Sequence, residues 1–292
     1  MKVFVTGASG FIGSQVTKQL IGAGHQVLGL ARSEDSAKAI KDAGAEVHRG
    51  SLDDPDSLRR GAAAADAVIH LGFIHDFSKF AENCEIDRRA IEVMGDALAG
   101  TDRPLIVSAG IGPRTEGRIA TEDTKPIFNP HMPRVSEETA LAQLDKGVRV
   151  SVVRLPQVHD PYKQGLIPWL IGMTREKGEA AYIGEGLNRW AAAHITDVAL
   201  LYRLVLEKGK AGVCYHAVGE EGVTMREIAE SIGRGLKVPV ISISPDQAAA
   251  HFGMIAIFAG TNMPASSALT QQWLDWHPSG PGLIADLDEA KF

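Results

Sequence analysis

An α/β fold built on a doubly wound parallel sheet, continued by a smaller and mostly helical C-terminal substrate lobe, is what this sequence predicts. Three features carry the prediction: a β-rich opening run that leads through a glycine loop into an apolar helical period, strong strands that keep alternating with helices as far as Arg154, and a loss of that regularity beyond Pro156. Strands that alternate with helices pair in parallel, and the crossover helices cover both faces of the sheet.

The elements follow in order. Lys2–Thr6 reads as a short strand, and Phe11, Ile12, Val16 and Leu20 then recur at helical spacing. Gly22-Ala-Gly24 ends that helix, and Gln26–Ala31 supplies a second buried strand. A helix near Asp35–Ala43, a strand at Ala45–His48, a helix after Pro55 and a strand at Ala67–His70 repeat the unit. A longer helix is expected from about Ala81 to Leu98, with strands at Leu105–Ser108 and Val148–Arg154. Pro156, Pro161 and Pro168 then break the chain, and helices are expected near Gly165–Arg175, Thr196–Glu207 and Met225–Leu236. The expected division is a nucleotide-binding core over residues 1–155 and a substrate-binding lobe over 156–292, with 194–218 packing back on the core.

Composition bounds the function. The 292 residues are 45% hydrophobic and 23% charged, close to the globular average, so a sizeable core is available. The formal net charge is −6 and no Lys/Arg run carries interleaved aromatics, which argues against nucleic-acid binding. Cys84 and Cys214 lie far apart, without the paired spacing of a zinc or redox site, and read as buried thiols in a reducing compartment. No signal-peptide pattern opens the chain and no apolar stretch approaches about 20 residues, so a cytoplasmic protein without membrane contact is expected. With no H-E-x-x-H, nucleophile elbow or acidic metal cluster, metal catalysis and acyl transfer are disfavoured, and no metal is expected.

Between the first strand and its helix stands Gly7-Ala-Ser9-Gly10-Phe11-Ile12-Gly13, a GxxGxxG loop in the context that a Rossmann dinucleotide site requires. Gly7 permits the tight turn, Gly10 the approach of a diphosphate and Gly13 close helix–sheet packing, while the helix N-terminus aims N–H groups at the anion. The second strand ends Ala31-Arg32-Ser33. An acid there would hold the ribose hydroxyls of NAD; a guanidinium can pair with the 2′-phosphate of NADP. NADP(H) is therefore preferred and NAD(H) stays possible, because Arg32 could instead stack on adenine or lie in solvent. Asp53, with Leu52 beside it, can accept from the adenine amino group or cap the helix that starts around Pro55.

With these residues in view, the chain resembles the short-chain dehydrogenase/reductase superfamily, in the extended or atypical branch that includes NAD-dependent epimerase/dehydratase-like proteins. TGASGFIG is its nucleotide loop. His70-Leu71-Gly72-Phe73 resembles the segment that passes the cofactor ribose, and Val152–Val158, with Pro156 and Val158, the stretch that meets the nicotinamide carboxamide. Asn188-Arg189-Trp190 and His194–Asp197 are similar to the late segment that bounds the substrate pocket. The resemblance implies a Tyr-x-x-x-Lys pair, and this sequence lacks it. In His131-Met-Pro133-Arg134-Val-Ser-Glu137-Glu138, Pro133 aligns with the tyrosine and Glu137 with the lysine. The family serine falls on Ser108 or Ala109, and Asp87 stands where extended members often carry asparagine.

A carbonyl reduction needs a donor within reach of the developing alkoxide. The candidates are Ser108, the best placed, with His75 and Arg134; the alternative for Ser108 is a strand-end hydroxyl bonded to backbone, and for the other two a solvated or structural role. His131, His159, Tyr162, Trp190 and His194 are expected around the substrate, with Arg189 and, more weakly, Trp169. Ala248–Met263, with Phe252, Met254, Ile257 and Phe258, is read as lobe packing in preference to a lid. The leading reading is an NADP(H)-dependent oxidoreductase of carbonyl-reductase or alcohol-dehydrogenase type, acting on a small or hydrophobic substrate. The alternatives are a catalytically silent NADP(H)-binding sensor or partner-binding protein, and an epimerase- or isomerase-like enzyme. A monomer or a homodimer is expected; the resemblance would place a dimer contact on Ala81–Leu98 and Ser136–Lys146.

Overall fold

The computed structural model describes residues 1–112, 118–125 and 133–291. In chain order its first half contains β1 (Lys2–Thr6), α1 (Phe11–Gly22), β2 (Gln26–Ala31), α2 (Glu34–Asp42), β3 (Glu46–Arg49), α3 (Pro55–Ala63), β4 (Ala67–His70), α4 (Phe80–Leu98), β5 (Pro104–Gly110), α5 (Ser136–Ala142) and β6 (Arg149–Leu155). Then come β7 (Gln157–Asp160), β8 (Lys163–Gln164), α6 (Ile167–Lys177), β9 (Ala180–Ile183), β10 (Arg189–His194), α7 (Ile195–Lys208), β11 (Val213–His216) and β12 (Glu220–Thr224). The chain closes with α8 (Met225–Leu236), β13 (Val240–Ile243), α9 (Ala248–Phe252), α10 (Ala256–Gly260), α11 (Ala268–Leu274) and α12 (Leu283–Glu289).

Seven strands form one sheet in the order β11-β6-β5-β4-β1-β2-β3, every neighbouring pair parallel. The strands are apolar on both sides because both sides are covered. In β1, Val3 and Val5 enter the core shared with α1, α2 and α7, while Phe4 between them enters the core beneath α3, α4 and α5. The chain winds outward from β1 through β2 and β3 on one side and from β4 onward on the other. The cleft between the carboxyl ends of β1 and β4 is therefore the switch point at which open α/β sheets bind ligands.

Beyond the helices that its sequence indicates, the second lobe carries a four-stranded mixed sheet, β12-β10-β7-β8, and a parallel pair, β13-β9. These strands escape a reading by β-propensity because they are short or alanine-rich: the middle of β10 is Trp190-Ala-Ala-Ala193, all buried. The lobes are interleaved along the chain. Only Pro156 separates β6 of the large sheet from β7 of the small one, and after β10 the chain returns so that α7 packs on α1 and β11 extends the large sheet beside β6. Cys84 and Cys214 are both buried. Among the described residues no helix is long and apolar enough to cross a membrane, and no cluster of His, Cys, Asp and Glu is arranged to hold a metal ion.

Candidate cofactor and substrate site

The glycine loop leaves β1 at the switch point. Gly7 has φ +70°, and a side chain there would press within 3.0 Å of the Leu71–Gly72 backbone, so the turns after β1 and β4 meet only because Gly7 has none. Gly10 caps α1 without a side-chain hydrogen bond, no acidic residue occupies the first turn, and the first intrahelical bond runs from Ser14 N–H to Gly10 C=O. The Phe11 and Ile12 N–H groups therefore face the cleft edge with no helical acceptor, and the positive end of the helix dipole is uncompensated. This cradle fits a diphosphate. Ser9 is exposed at the tip of the loop.

Arg32 follows β2 and is exposed, with no ion pair among the described residues. The register pairs Ala31 with Arg49, whose guanidinium donates to Ser33 C=O at 3.2 Å and to Glu34 at 2.6 Å. Two arginines, Arg32 and Arg49, thus flank the end of β2. The Ser33 hydroxyl caps α2. Asp53 does not cap α3; Asp54 does, by accepting from Ser57 N–H at 3.1 Å. A hydrogen bond from Ser51 is the main influence holding the Asp53 carboxyl below the ordinary aspartate value, and the Arg32 charge adds to it. Leu52 lies under Gly72, where an added methyl would come within 3.2 Å of it.

From the glycine loop a cavity of about 790 Å³ runs between the lobes. Gly7, Gly10, Phe11, Ile12 and Gly13 form one end, and Leu71, Gly72, Phe73, Pro156 and Val158 form the adjoining walls. The far end is apolar: Trp169, Trp190, Ile257, Phe258 and Met263 line it, so Ala248–Met263 does more than fill the lobe. The same segment also packs the lobe, through buried Phe252, Ile255 and Ala259. Trp190 is almost wholly buried and donates its indole N–H to Phe258 C=O at 3.1 Å. His131 and the Met254 side chain lie outside what is described.

Arg134, one residue beyond the position aligned with the missing tyrosine, lines this cavity. Its guanidinium lies 4.1 Å from the Phe73 ring centroid, its Nε donates to Ser136 Oγ at 2.8 Å, and its Nη2 is 3.4 Å from Ser108 C=O. His75 shares the wall. Burial, followed by the Arg134 charge and more weakly that of Lys163, pulls its imidazole below the usual histidine range. Behind Arg134 lies a buried polar chain. Gly72 N–H donates to Thr6 Oγ1 at 3.0 Å, and Thr6 Oγ1 is 2.7 Å from His70 Nδ1. His70 Nε2–H donates to Asp87 Oδ1 at 3.1 Å, and Ser136 Oγ–H donates to Asp87 Oδ2 at 2.5 Å. Burial works against the Asp87 charge, but the His70 and Ser136 hydrogen bonds and the Arg134 charge outweigh it and bring the carboxyl below its ordinary value.

Several expectations are corrected. The Ser108 hydroxyl does not reach the cavity: it is buried, donates to His70 C=O at 2.8 Å and lies 2.7 Å from Tyr202 Oη in the core under α7. Tyr202 supplies no substitute proton donor there, since full burial raises its phenol pKa and seals it from solvent. Glu137, aligned with the family lysine, does line the cavity, but its carboxylate is held by both arms of buried Arg154 at 2.6 and 2.8 Å. His159 is fully buried and bonded to Asp286 at 2.6 Å, tying α12 to β7. His194 caps α7 through Thr196, and Tyr162 is 93% exposed on the turn between β7 and β8. None of these last three lines the cavity.

Residues 3–218 match the sequence profile of the NAD dependent epimerase/dehydratase family. The chain belongs to that family. An uncharacterized protein of Schizosaccharomyces pombe is 46% identical over 290 residues, with 98% of each chain covered. A decarboxylating sterol-4-alpha-carboxylate 3-dehydrogenase of Dictyostelium discoideum is 29% identical over 248 residues, covering 77% of this chain and 73% of that one. Among solved structures, a dTDP-glucose 4,6-dehydratase of Streptomyces venezuelae, solved with NAD bound, has the same fold, with a TM-score of 0.76 at 20% identity over 99% of this chain and 96% of the other. The family relationship accounts for the nucleotide-binding Rossmann sheet and for enzymes, oxidoreductases among them, as the relatives of this chain.

Against that family background, three groups in or behind the cleft were not found from the sequence. Arg49 is distant in the chain from Arg32 and becomes its neighbour only through strand register. Lys163 reaches from β8 to within 5.5 Å of the Phe11 ring centroid, a contact between lobes. The His70–Asp87–Ser136 chain joins three elements, and no local spacing announces it.

Proposed function

We propose that this protein is an NADP(H)-dependent oxidoreductase acting on an apolar carbonyl or the corresponding alcohol, with Arg134 serving the reacting oxygen where relatives use tyrosine. The observation that supports it is the placement of the Arg134 guanidinium, resting on Phe73, in the wall of a largely apolar cavity that begins at the glycine loop and that His75 and Lys163 also line. When bound, the cofactor supplies or accepts the hydride. The chain's residues would do the rest. The open N-terminus of α1 and the Gly7–Gly13 cradle bind the diphosphate, and Arg32, supported by Arg49, takes the 2′-phosphate. Leu52 and Asp53 border the adenine, and Leu71 to Phe73, Pro156 and Val158 flank the nicotinamide end.

Arg134 stabilises negative charge on the substrate oxygen electrostatically; in reduction the proton is delivered through His75, which is recharged from water at the cavity mouth. His75, kept mainly neutral at neutral pH by burial and nearby cations, is suited to accept the alcohol proton in the oxidative direction. Phe73, Trp169, Trp190 and Met263 exclude water and favour an apolar substrate body.

The test mixes the purified protein with NADPH and a panel of alkyl and aryl ketones and aldehydes and follows nicotinamide absorbance. Turnover that falls about 100-fold in Arg134→Gln is expected, the size of effect seen when one oxyanion donor is removed. Tight NADPH binding without turnover of any carbonyl would overturn the oxidoreductase reading in favour of a sensor. Equal affinities for NADPH and NADH, unchanged in Arg32→Ala, would overturn the cofactor preference.

A further inference from the structure

The polar chain behind Arg134 is hydrogen-bonded along its whole length, and none of the steps above uses it. Thr6, His70, Asp87 and Ser136 are each at most 2% exposed. A carboxylate buried this deeply is costly unless every oxygen is paired. Here Asp87 Oδ1 accepts from His70 and Oδ2 from Ser136.

The Ser136 hydroxyl has one orientation that satisfies both of its neighbours: its proton goes to Asp87 and its lone pair accepts Arg134 Nε–H. Nη2 is directed to Ser108 C=O, the guanidinium face rests on Phe73, and Nη1 has no protein partner among the described residues. At 4.0 Å from Arg134 Nε, the Asp87 carboxylate is also the nearest counter-charge, among the described residues, to a guanidinium whose side chain is 27% exposed. On its other side the chain runs through His70 and Thr6 to the Gly72 N–H, on the turn that borders the glycine loop.

We propose that Asp87 is a positioning residue: through Ser136 it holds the Arg134 guanidinium in one orientation in the cavity wall, and through His70 and Thr6 it references that orientation to the backbone at Gly72. This rests on the role given to Arg134 above. Ser136 transmits the constraint and His70 keeps the carboxylate from rotating. A simple tie between α4 and β4 would need the His70–Asp87 bond alone; the second oxygen, committed to the serine that carries Arg134, is what goes beyond that.

The experiment reads Arg134 directly. In protein labelled with nitrogen-15 arginine, the Arg134 Nε–H resonance is assigned by its loss in Arg134→Lys. Wild type is expected to show a resolved, exchange-protected signal; Asp87→Asn and Ser136→Ala should each shift it and speed its hydrogen exchange at least about 10-fold, and Ser136→Thr, which keeps the hydroxyl, should restore it. In parallel, kcat for carbonyl reduction should fall about 10- to 100-fold in Asp87→Asn and Ser136→Ala, as expected for displacement of a group at the reacting atoms by about 1 Å, while NADPH affinity changes less than about twofold. An Nε–H signal that is unchanged in both variants overturns the proposal, and so does a displaced signal with undiminished kcat. If wild type turns over no carbonyl at all, the oxidoreductase reading fails, and the resonance still decides whether Asp87 positions Arg134. Ser136→Ala removes a single oxygen, which keeps the test open should Asp87→Asn fail to fold.

Discussion

Replacing Gly13 and Gly10 by alanine, one at a time, should separate the two tasks of the glycine loop. A Cβ on Gly13 would lie 1.9 Å from Gly7 O and 2.7 Å from Gly7 C, where ordinary contact begins at 3.4 Å. About 1.5 Å must open between α1 and the end of β1, and both sides of the clash are backbone, so no side chain can swing away. Overpacking of this kind costs about 1–3 kcal/mol, and the rigidity here argues for the upper end. At about 2 °C per kcal/mol for a chain of this size, Gly13→Ala should melt roughly 6 °C below wild type. A Cβ on Gly10 would sit 3.1 Å from Gly7 O, a misfit of a few tenths of an ångström, so the fold should lose less than about 1 kcal/mol. That methyl would, however, stand at the cap of α1 where a diphosphate approaches, and about 1.4 kcal/mol of lost contact is a tenfold loss of affinity. Thermal melting followed by circular dichroism and titration of NADPH by its fluorescence measure the two effects. Gly13→Ala melting with wild type, or Gly10→Ala binding NADPH at wild-type strength, would refute the reasoning.

Other expectations follow from the same geometry. Arg32→Ala and Arg49→Ala should each weaken NADPH binding about tenfold and leave NADH unaffected, as the loss of a charge-assisted contact to phosphate requires; parallel titrations with the two nucleotides check it. Because burial and the Arg134 charge depress the His75 pKa, the acid limb of kcat/KM for alcohol oxidation should have its midpoint below that of an ordinary histidine. Arg134→Gln removes one of the depressing charges and should move that acid limb to higher pH, whatever it does to the maximum rate. Ser108→Ala should cost about 1–3 kcal/mol in a denaturant melt, since Tyr202 Oη loses its partner in the core, with kcat near wild type; a hundredfold fall in kcat would return Ser108 to the active site. Glu137→Gln breaks the buried pair with Arg154 and should destabilise the fold by about 3–5 kcal/mol, read from the same melts.

The large sheet was legible because its determinants are local. Alternating apolar runs mark strands buried on both faces, and the glycine loop marks where the first of them turns. Strand ends shifted by a residue or so, as at β3, where Arg49 extends the expected strand. The small sheet was not legible, since β10 is alanine-rich and β8 spans two residues. At the site, the loop glycines, Phe73, Pro156, Val158, Trp190 and Arg134 line one cavity, and most of them follow directly from a strand end or a breaker. Ser108, His159 and His194 show the limit of that logic. Their positions next to functional segments could be read, but the partner that captures each side chain, Tyr202, Asp286 or Thr196, is set by tertiary packing or by helix-cap geometry. The same limit hid Arg49, Lys163 and the Asp87 chain.

The late arrival of β11 has a consequence for biosynthesis. Translation from the N-terminus completes β6 well before Val213–His216 is made, so the nascent sheet waits with the β6 backbone unpaired along one side while the intervening segments of the second lobe emerge. An exposed parallel edge is a template for wrong partners. Truncations that end after residue 155 would keep that edge permanently open, and they should be recovered as aggregates where the full chain stays in solution.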